Sequence, residues 1–142
     1  KLRHIGGNAR IRYADAADLE TLAGLDRHIS REELARSVSQ NRVLVALDGD
    51  VLAGWLRYNL FWDNTPFMNM LFIGEGRRGQ GLGGQLTGFW EREMKAQGYS
   101  SVLTSTLSNE DAQHFYRKHG YTDCGGLLLP GEPLELFFIK GL

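Results

Sequence analysis

The chain has 142 residues, of which 42% are apolar and 23% charged, and its formal net charge is -1. That length and composition support a globular core and exclude the low-hydrophobicity, high-charge pattern of disorder. A near-zero charge offers no general attraction to nucleic acid or to an anionic membrane, and no run of about 18 apolar residues exists to span one. The only cysteine, Cys124, cannot close an internal disulfide, and no signal-peptide pattern follows Lys1. Both fit a reducing compartment. No His, Cys or carboxylate set has metal-ligand spacing. The expectation is a single cytoplasmic domain over residues 1–142, with no metal, nucleic-acid or membrane partner.

Residues 1–8 are polar and glycine-containing, and a poorly ordered segment is expected there. Residues 9–13 alternate and predict a half-exposed strand. Asp15 or Asp18 is placed to cap a helix carrying Leu19, Leu22 and Ile29 on one face, and Ser30-Arg31-Glu32-Glu33 has the form of a capping box for a second helix. Val43 to Leu47 and Val51 to Phe61 flank Asp48-Gly49-Asp50 as a hairpin. Asp63 to Pro66 predicts a turn into the apolar run Phe67 to Ile73, which predicts a buried strand. Leu82, Leu86, Phe89, Trp90 and Met94 then recur at helical spacing until Gly98. Val102 to Thr106 predicts the next strand, parallel to the one before the helix. Ser108 is placed to cap a helix with Ala112, Phe115, Tyr116 and His119 on one side. Tyr121 to Cys124 and Leu134 to Ile139 complete the chain as a strand pair. The outline is β-α-α-β-β-β-α-β-α-β-β: a mixed α/β fold with a central mixed sheet of about six to seven strands and about four helices.

The chain is organised around Gly74-Glu75-Gly76-Arg77-Arg78-Gly79-Gln80-Gly81-Leu82-Gly83-Gly84, which sits where a strand gives way to a helix. Backbone N–H groups in such a loop can converge on one point, and the helix N-terminus adds free donors and partial positive charge. Arg77 and Arg78 add full charges, and glycines let a polyanion approach closely. The loop therefore predicts a phosphate site; a plain strand-to-helix turn is the alternative.

Two patterns stand in this order. Arg78-Gly79-Gln80-Gly81-Leu82-Gly83 fits Q/R-x-x-G-x-G/A, and Asn109 to Tyr121 fits N-x-x-A-x-x-F-Y-x-x-x-G-F/Y. Together they resemble the GNAT superfamily of acetyl-CoA-dependent N-acetyltransferases, over roughly residues 9 to 140. The resemblance implies that Arg78, Gly79, Gln80, Gly81, Leu82, Gly83 and Gly84 grip the pyrophosphate of coenzyme A. It also implies that Leu71, Phe72 and Ile73 pair with the pantetheine arm, and that Asn109 and Phe115 belong to the cofactor-contacting motif. Tyr116 matches the family's tyrosine near the cofactor sulfur, which can protonate the leaving thiolate; a core aromatic is the other reading of it.

The family's usual carboxylate base has no counterpart on the strand 67–73, whose polar residue is Asn69. Asp63 and ordered water remain as bases, and none is assigned. His114 is expected to be solvated. Trp55, Tyr58, Phe61, Trp62 and Phe67 read as core or as a subunit interface, giving a possible homodimer. An acceptor pocket lined by Tyr58 and Trp62, with Asn69 or Asp63 orienting an amine, is the other use of this group. Cys124 reads as a buried free thiol, with a reactive thiol as the other reading. The implied reaction is acetyl transfer from acetyl-CoA to a primary amine of a small molecule or peptide, by direct attack in a ternary complex. The rivals are a non-catalytic acyl-CoA sensor and an NAD-type oxidoreductase, the latter suggested by Gly79-Gln80-Gly81-Leu82-Gly83-Gly84. That fold wants a ribose-binding carboxylate about 20 residues on, and Tyr99 to Thr106 supplies none.

Overall fold

A computed structural model describes residues 9–142, so the disorder expected at residues 1–8 lies outside the described residues. Its elements are β1 (Arg10–Tyr13), α1 (Leu19–Leu25), α2 (Arg31–Ser39), β2 (Val43–Asp48), β3 (Val51–Phe61), β4 (Thr65–Ile73), α3 (Leu82–Ala96), β5 (Ser101–Leu107), α4 (Ala112–Lys118), β6 (Thr122–Leu127) and β7 (Glu135–Gly141). The fold is mixed α/β, with a seven-stranded sheet in the order β1-β2-β3-β4-β5-β7-β6. β4 and β5 run parallel, with Phe67 opposite Leu103 and Met68 opposite Thr104. Contacts divide the chain into two compact units, Lys1–Asn59 with Met70–Trp90, and Leu60–Asn69 with Glu91–Leu142.

In the first unit β2 is buried from Val43 to Leu47. A strand covered on both faces reads as a continuous apolar run rather than an alternation. One of its faces packs with Ala14, Leu22, Leu34, Val38 and Trp55. Asp15 caps a 3-10 turn, Ala16–Asp18, in a reciprocal capping box with Asp18. α1 ends at Leu25, short of Ile29, because Asp26 leaves helical geometry and its side chain turns inward. Ile29 still packs on the same core, but from the connection between the helices. Ser30 caps α2 by accepting from the Glu33 N–H at 3.1 Å, while the Glu33 carboxylate pairs with Arg36.

The inward turn of Asp26 creates a buried ion pair. Its carboxylate accepts from Arg57 Nε at 2.8 Å and Nη2 at 3.2 Å, from the Trp55 indole at 3.2 Å and from the His28 N–H at 3.2 Å. Burial alone would raise the Asp26 pKa; the hydrogen bonds and charge of Arg57 outweigh it and hold the carboxyl below its usual range. Such a pair stabilises little against a well-packed apolar substitute, but losing one partner strands the other charge in the core.

In the second unit β5 alternates, burying Val102, Thr104 and Thr106. α4 lies against β5 and β6. Tyr116 on α4 packs against Tyr121 and Phe138, with ring centroids 5.5 and 5.8 Å away. Glu91 on α3 accepts from the Tyr121 hydroxyl at 2.7 Å and from Lys140 Nζ at 2.9 Å, tying the end of α3 to β7. β6 is exposed along its whole length. Cys124 lies on it and is exposed rather than buried, because this edge strand stays open to solvent at every position.

Two expected boundaries shift. The turn between β3 and β4 is Trp62 to Asn64, so Thr65 and Pro66 belong to β4. β4 is also less buried than its apolar run suggested: Pro66 and Met68 are covered, while Phe72 is exposed.

Asp26→Asn is expected to lower unfolding stability by about 3 kcal/mol in denaturant titrations, since Arg57 keeps its buried charge. Because the folded pKa of Asp26 is depressed, its contribution in the wild-type protein is complete above about pH 4 and is lost as pH falls from there through the folded value. The variant should therefore show a flatter acid limb than the wild type.

Candidate active site

β4 ends at Ile73 and a 3-10 turn, Glu75–Arg77, follows before the glycines. Gly74 N–H bonds to the Ala53 carbonyl at 2.8 Å, holding the strand end against β3. That approach requires Gly54, where a Cβ would sit 2.6 Å from the Phe72 carbonyl oxygen. Gly54 was not singled out from the sequence; a glycine inside an apolar strand run is the signal that would have found it.

Gly79 and Gly81 have φ of +78° and +84°, and a Cβ at Gly76, Gly79 or Gly81 would meet nothing within 4 Å. The loop backbone thus faces open space that side chains would fill. Gln85 N–H makes the bond to Gly81 O at 3.0 Å that starts the α3 ladder. The N–H groups of Leu82, Gly83 and Gly84 precede that ladder and have no carbonyl one turn back to receive them. Exposed backbone, left-handed glycines and a helix start are what a diphosphate needs, so the residues present fit coenzyme A.

The arginines differ from the paired free charges expected. Arg77 Nη1 lies 3.3 Å from the Asp48 carboxylate without an aligned hydrogen bond, so part of its charge is balanced within the protein. Arg78 donates from Nε to the Ile73 carbonyl at 3.0 Å and sits 5.5 Å over the Phe72 ring. It braces the strand end and occupies the Ile73 carbonyl. Of the three residues expected to meet the pantetheine arm, Phe72 is exposed, and Leu71 and Ile73 are half-buried.

Tyr116 is buried, at 6% exposure. Burial pushes its phenol up from the usual value, hydrogen bonding with the Thr104 side chain works the other way, and the charge of Glu110 raises it further. The net effect keeps the hydroxyl protonated at neutral pH, as a proton donor must be. Phe115 stands edge-on to Tyr116, with centroids 5.4 Å apart, and covers His119 at 4.2 Å. Asn109 is exposed in the turn before α4 rather than in its first turn, because the helix starts at Ala112 after Asp111 and not after Ser108. The Glu110 carboxylate takes the Leu107 N–H at 3.2 Å and closes the turn locally. His114 is exposed.

The tentative acceptor residues fall into different settings. Tyr58 is buried and packs 5.7 Å from the Trp90 ring, as a core residue does. Trp62 and Asp63 form the turn after β3, both left-handed, with φ of +56° and +65°. Trp62 is 79% exposed, with one ring neighbour in Phe61 at 4.7 Å. Asn69 is exposed on β4. With Trp55 and Tyr58 buried, Trp62 is the fully exposed aromatic of this hairpin. The large apolar side chains at the other end of the sheet, Leu127, Leu128, Leu129 and Leu134, are also exposed. No group of three His, Cys, Asp or Glu among the described residues could hold a metal ion, and no described helix is long and apolar enough to cross a membrane.

A sequence profile of the acetyltransferase (GNAT) family matches residues 12–121. The chain belongs to that family. It is 31% identical over 87 residues to acetyltransferase Atu2258 of Agrobacterium fabrum strain C58, a match covering 61% of this chain and 56% of that protein. The chain thus matches little more than half the length of that relative. Among solved structures, Ard1 from Thermoplasma volcanium superposes with a TM-score of 0.79 at 16% identity, covering 94% of this chain and 97% of that one. The PaiA N-acetyltransferase from Thermoplasma acidophilum, in complex with coenzyme A, superposes with a TM-score of 0.78 at 18% identity, covering 95% and 99%. At these identities the two structures share the fold.

The left-handed turn provides a test of whether its strain serves a contact. Asp63→Gly should remove about 1 kcal/mol of backbone strain and raise the thermal midpoint by about 3 °C. A fall in midpoint would mean that the Asp63 side chain makes an interaction that outweighs the strain.

Proposed function

We propose that this protein is an N-acetyltransferase that moves the acetyl group of acetyl-CoA to a primary amine. The observation that carries the reading is the glycine loop. Its left-handed Gly79 and Gly81 present open backbone beside the start of α3, in a chain of the GNAT family. The Thermoplasma acidophilum relative of the same fold was solved with coenzyme A, which supports the same ligand here.

The loop amides of Gly79 to Gly84 would hold the diphosphate, and the end of β4 would align the pantetheine arm. Acetyl-CoA supplies a thioester carbonyl. An amine attacks that carbon, the C–S bond breaks, and the sulfur leaves with the electron pair. Backbone N–H groups at the strand end would stabilise the oxygen charge that develops. Tyr116 would give its phenolic proton to the departing sulfur, a role its protonated state supports. Among the described residues no serine, cysteine or histidine stands out as an activated nucleophile, and partial desolvation and the Asp123 charge push the exposed Cys124 thiol up. Direct attack without an acyl-enzyme is therefore the simpler route.

The acceptor class is a small-molecule or peptide amine, with Trp62, Asp63 and Asn69 as the exposed residues able to meet it. Tyr58, being core, is withdrawn from that set. Homodimerisation, tied in the sequence to exposed hairpin aromatics, keeps only Trp62 in its support.

Calorimetric titration should show one-to-one binding of acetyl-CoA and none of NAD. Failure of acetyl-CoA to bind the folded protein would remove the proposal. Gly81→Val should weaken acetyl-CoA binding at least tenfold, because a branched side chain is strained at that φ and projects where the diphosphate would lie. Tyr116→Phe should lower kcat about a hundredfold with acetyl-CoA affinity within twofold. Unchanged turnover would end the acid role. Binding without turnover of any amine would favour the acyl-CoA sensor.

A further inference from the structure

Three flat side chains stand in series between the interior of the first unit and the glycine loop. The innermost is the Trp55 indole, which is buried and donates to Asp26 at 3.2 Å, while Asp26 is held by Arg57 Nε at 2.8 Å. The Phe72 ring stacks on that indole, with centroids 4.6 Å apart and planes 28° from parallel. The Arg78 guanidinium lies over the Phe72 ring, 5.5 Å from its centroid, which is cation–π distance. Each group takes its orientation from the one before it. The indole is fixed by its bond to a buried carboxylate, and Phe72, 37% exposed, is fixed by the indole. Gly54 makes the contact possible: a Cβ there would stand 2.6 Å from the Phe72 carbonyl oxygen and push the end of β4 away.

Arg78 is tied at two points. Its Nε donates to the Ile73 carbonyl at 3.0 Å, and its guanidinium plane rests on Phe72. The side chain thereby closes residues 73–78 into a loop around the 3-10 turn Glu75–Arg77. Directly after it the backbone passes from extended at Arg78 to left-handed at Gly79, with φ of +78°. Glycine loses more backbone freedom on ordering than any other residue, and no neighbour stands within 4 Å of the Cβ position at Gly79 or Gly81. A loop held only where α3 begins would have to be ordered by its ligand, at the expense of affinity. Arg78 supplies a tether at the other end. A single bond from an exposed arginine to a carbonyl is a weak tether, and the ring adds to it.

We propose that Phe72 is a positioning residue for the glycine loop. Seated on Trp55, its ring holds Arg78 at the strand end, and Arg78 fixes where the loop begins. This rests on the reading of that loop as the diphosphate site for acetyl-CoA. The resemblance gave Phe72 a place beside the pantetheine arm through strand pairing; its side chain has a separate task, and Trp55 supports the site from the core. The effect falls on affinity, because the loop is ordered before the ligand arrives.

The test combines calorimetric titration with acetyl-CoA and nitrogen-15 relaxation of the Gly79 and Gly81 amides in the ligand-free protein. Phe72→Leu keeps an apolar side chain and loses the ring. It should weaken acetyl-CoA binding about fivefold and lower the order parameters of both amides from about 0.85 toward about 0.6. Phe72→Tyr keeps the ring and should bind within about twofold of the wild type. Arg78→Met should weaken binding at least as much as Phe72→Leu, and adding Phe72→Leu to it should cost less than about a further twofold. The same fivefold loss in that background would overturn the proposal, since general damage to β4 acts regardless of Arg78. So would unchanged affinity in Arg78→Met, or unchanged affinity or order parameters in Phe72→Leu. If Phe72→Leu does not fold, Phe72→Met, unbranched and adaptable, is read in the same way. Failure of the wild-type protein to bind acetyl-CoA would defeat the diphosphate reading itself. Tight binding by the wild type beside equally tight binding by Phe72→Leu would defeat only the role of Phe72.

Discussion

The parallel register of β4 with β5 consists of Phe67 opposite Leu103 and Met68 opposite Thr104, and its brevity shapes the chemistry of this chain. A parallel pair needs a crossover, and α3 provides it. The chain must therefore leave β4 through a loop and enter a helix, which puts a set of free N–H groups after Ile73. Side chains add to the backbone bonding of β4: the Thr104 hydroxyl donates to the Met68 carbonyl, and Arg78 donates to the Ile73 carbonyl.

Polar groups inside the two units are handled by the same rule, in different ways. In the first, Asp26 gathers Arg57, Trp55 and a backbone N–H around one carboxylate, so that both buried charges are balanced and the carboxylate oxygens are fully used. In the second, Glu91 serves Tyr121 and Lys140 together. There burial and the neighbouring Glu91 charge both push the Tyr121 phenol up, so it acts only as a donor. Thr104, buried in the same unit, spends its hydroxyl proton on the Met68 carbonyl.

Most of the fold was legible in the sequence. The alternation of β5, the helical spacing of α3, the Asp48-Gly49-Asp50 turn and the strand–loop–helix order all follow from local pattern, and the parallel pair follows from the handedness of crossovers. The misses have local causes. Ile29 continued the helical spacing of α1, but a buried ion pair drew Asp26 out of the helix, and periodicity carries no trace of a partner 31 residues away. Cys124 was expected inside because free cysteines usually are, and an edge strand offers no inside. Ser108 looked like a cap because of its residue type, but Glu110 closes the turn there and α4 starts later.

By itself the sequence determined the place of the glycine loop, the motif around Tyr116, and hence the family. These are encoded in residues close together in the chain, where spacing and backbone preference are enough. Only the tertiary structure decided what the charged and polar side chains do. It turned Arg77 toward Asp48 and Arg78 onto the strand end, made Tyr58 core and Trp62 surface, exposed Gly54 as a steric necessity, and gave the Thr104 hydroxyl to the Met68 carbonyl. Hydrogen-bond and ion-pair partners are chosen over a few ångströms in space, among residues that the chain brings together only when it folds.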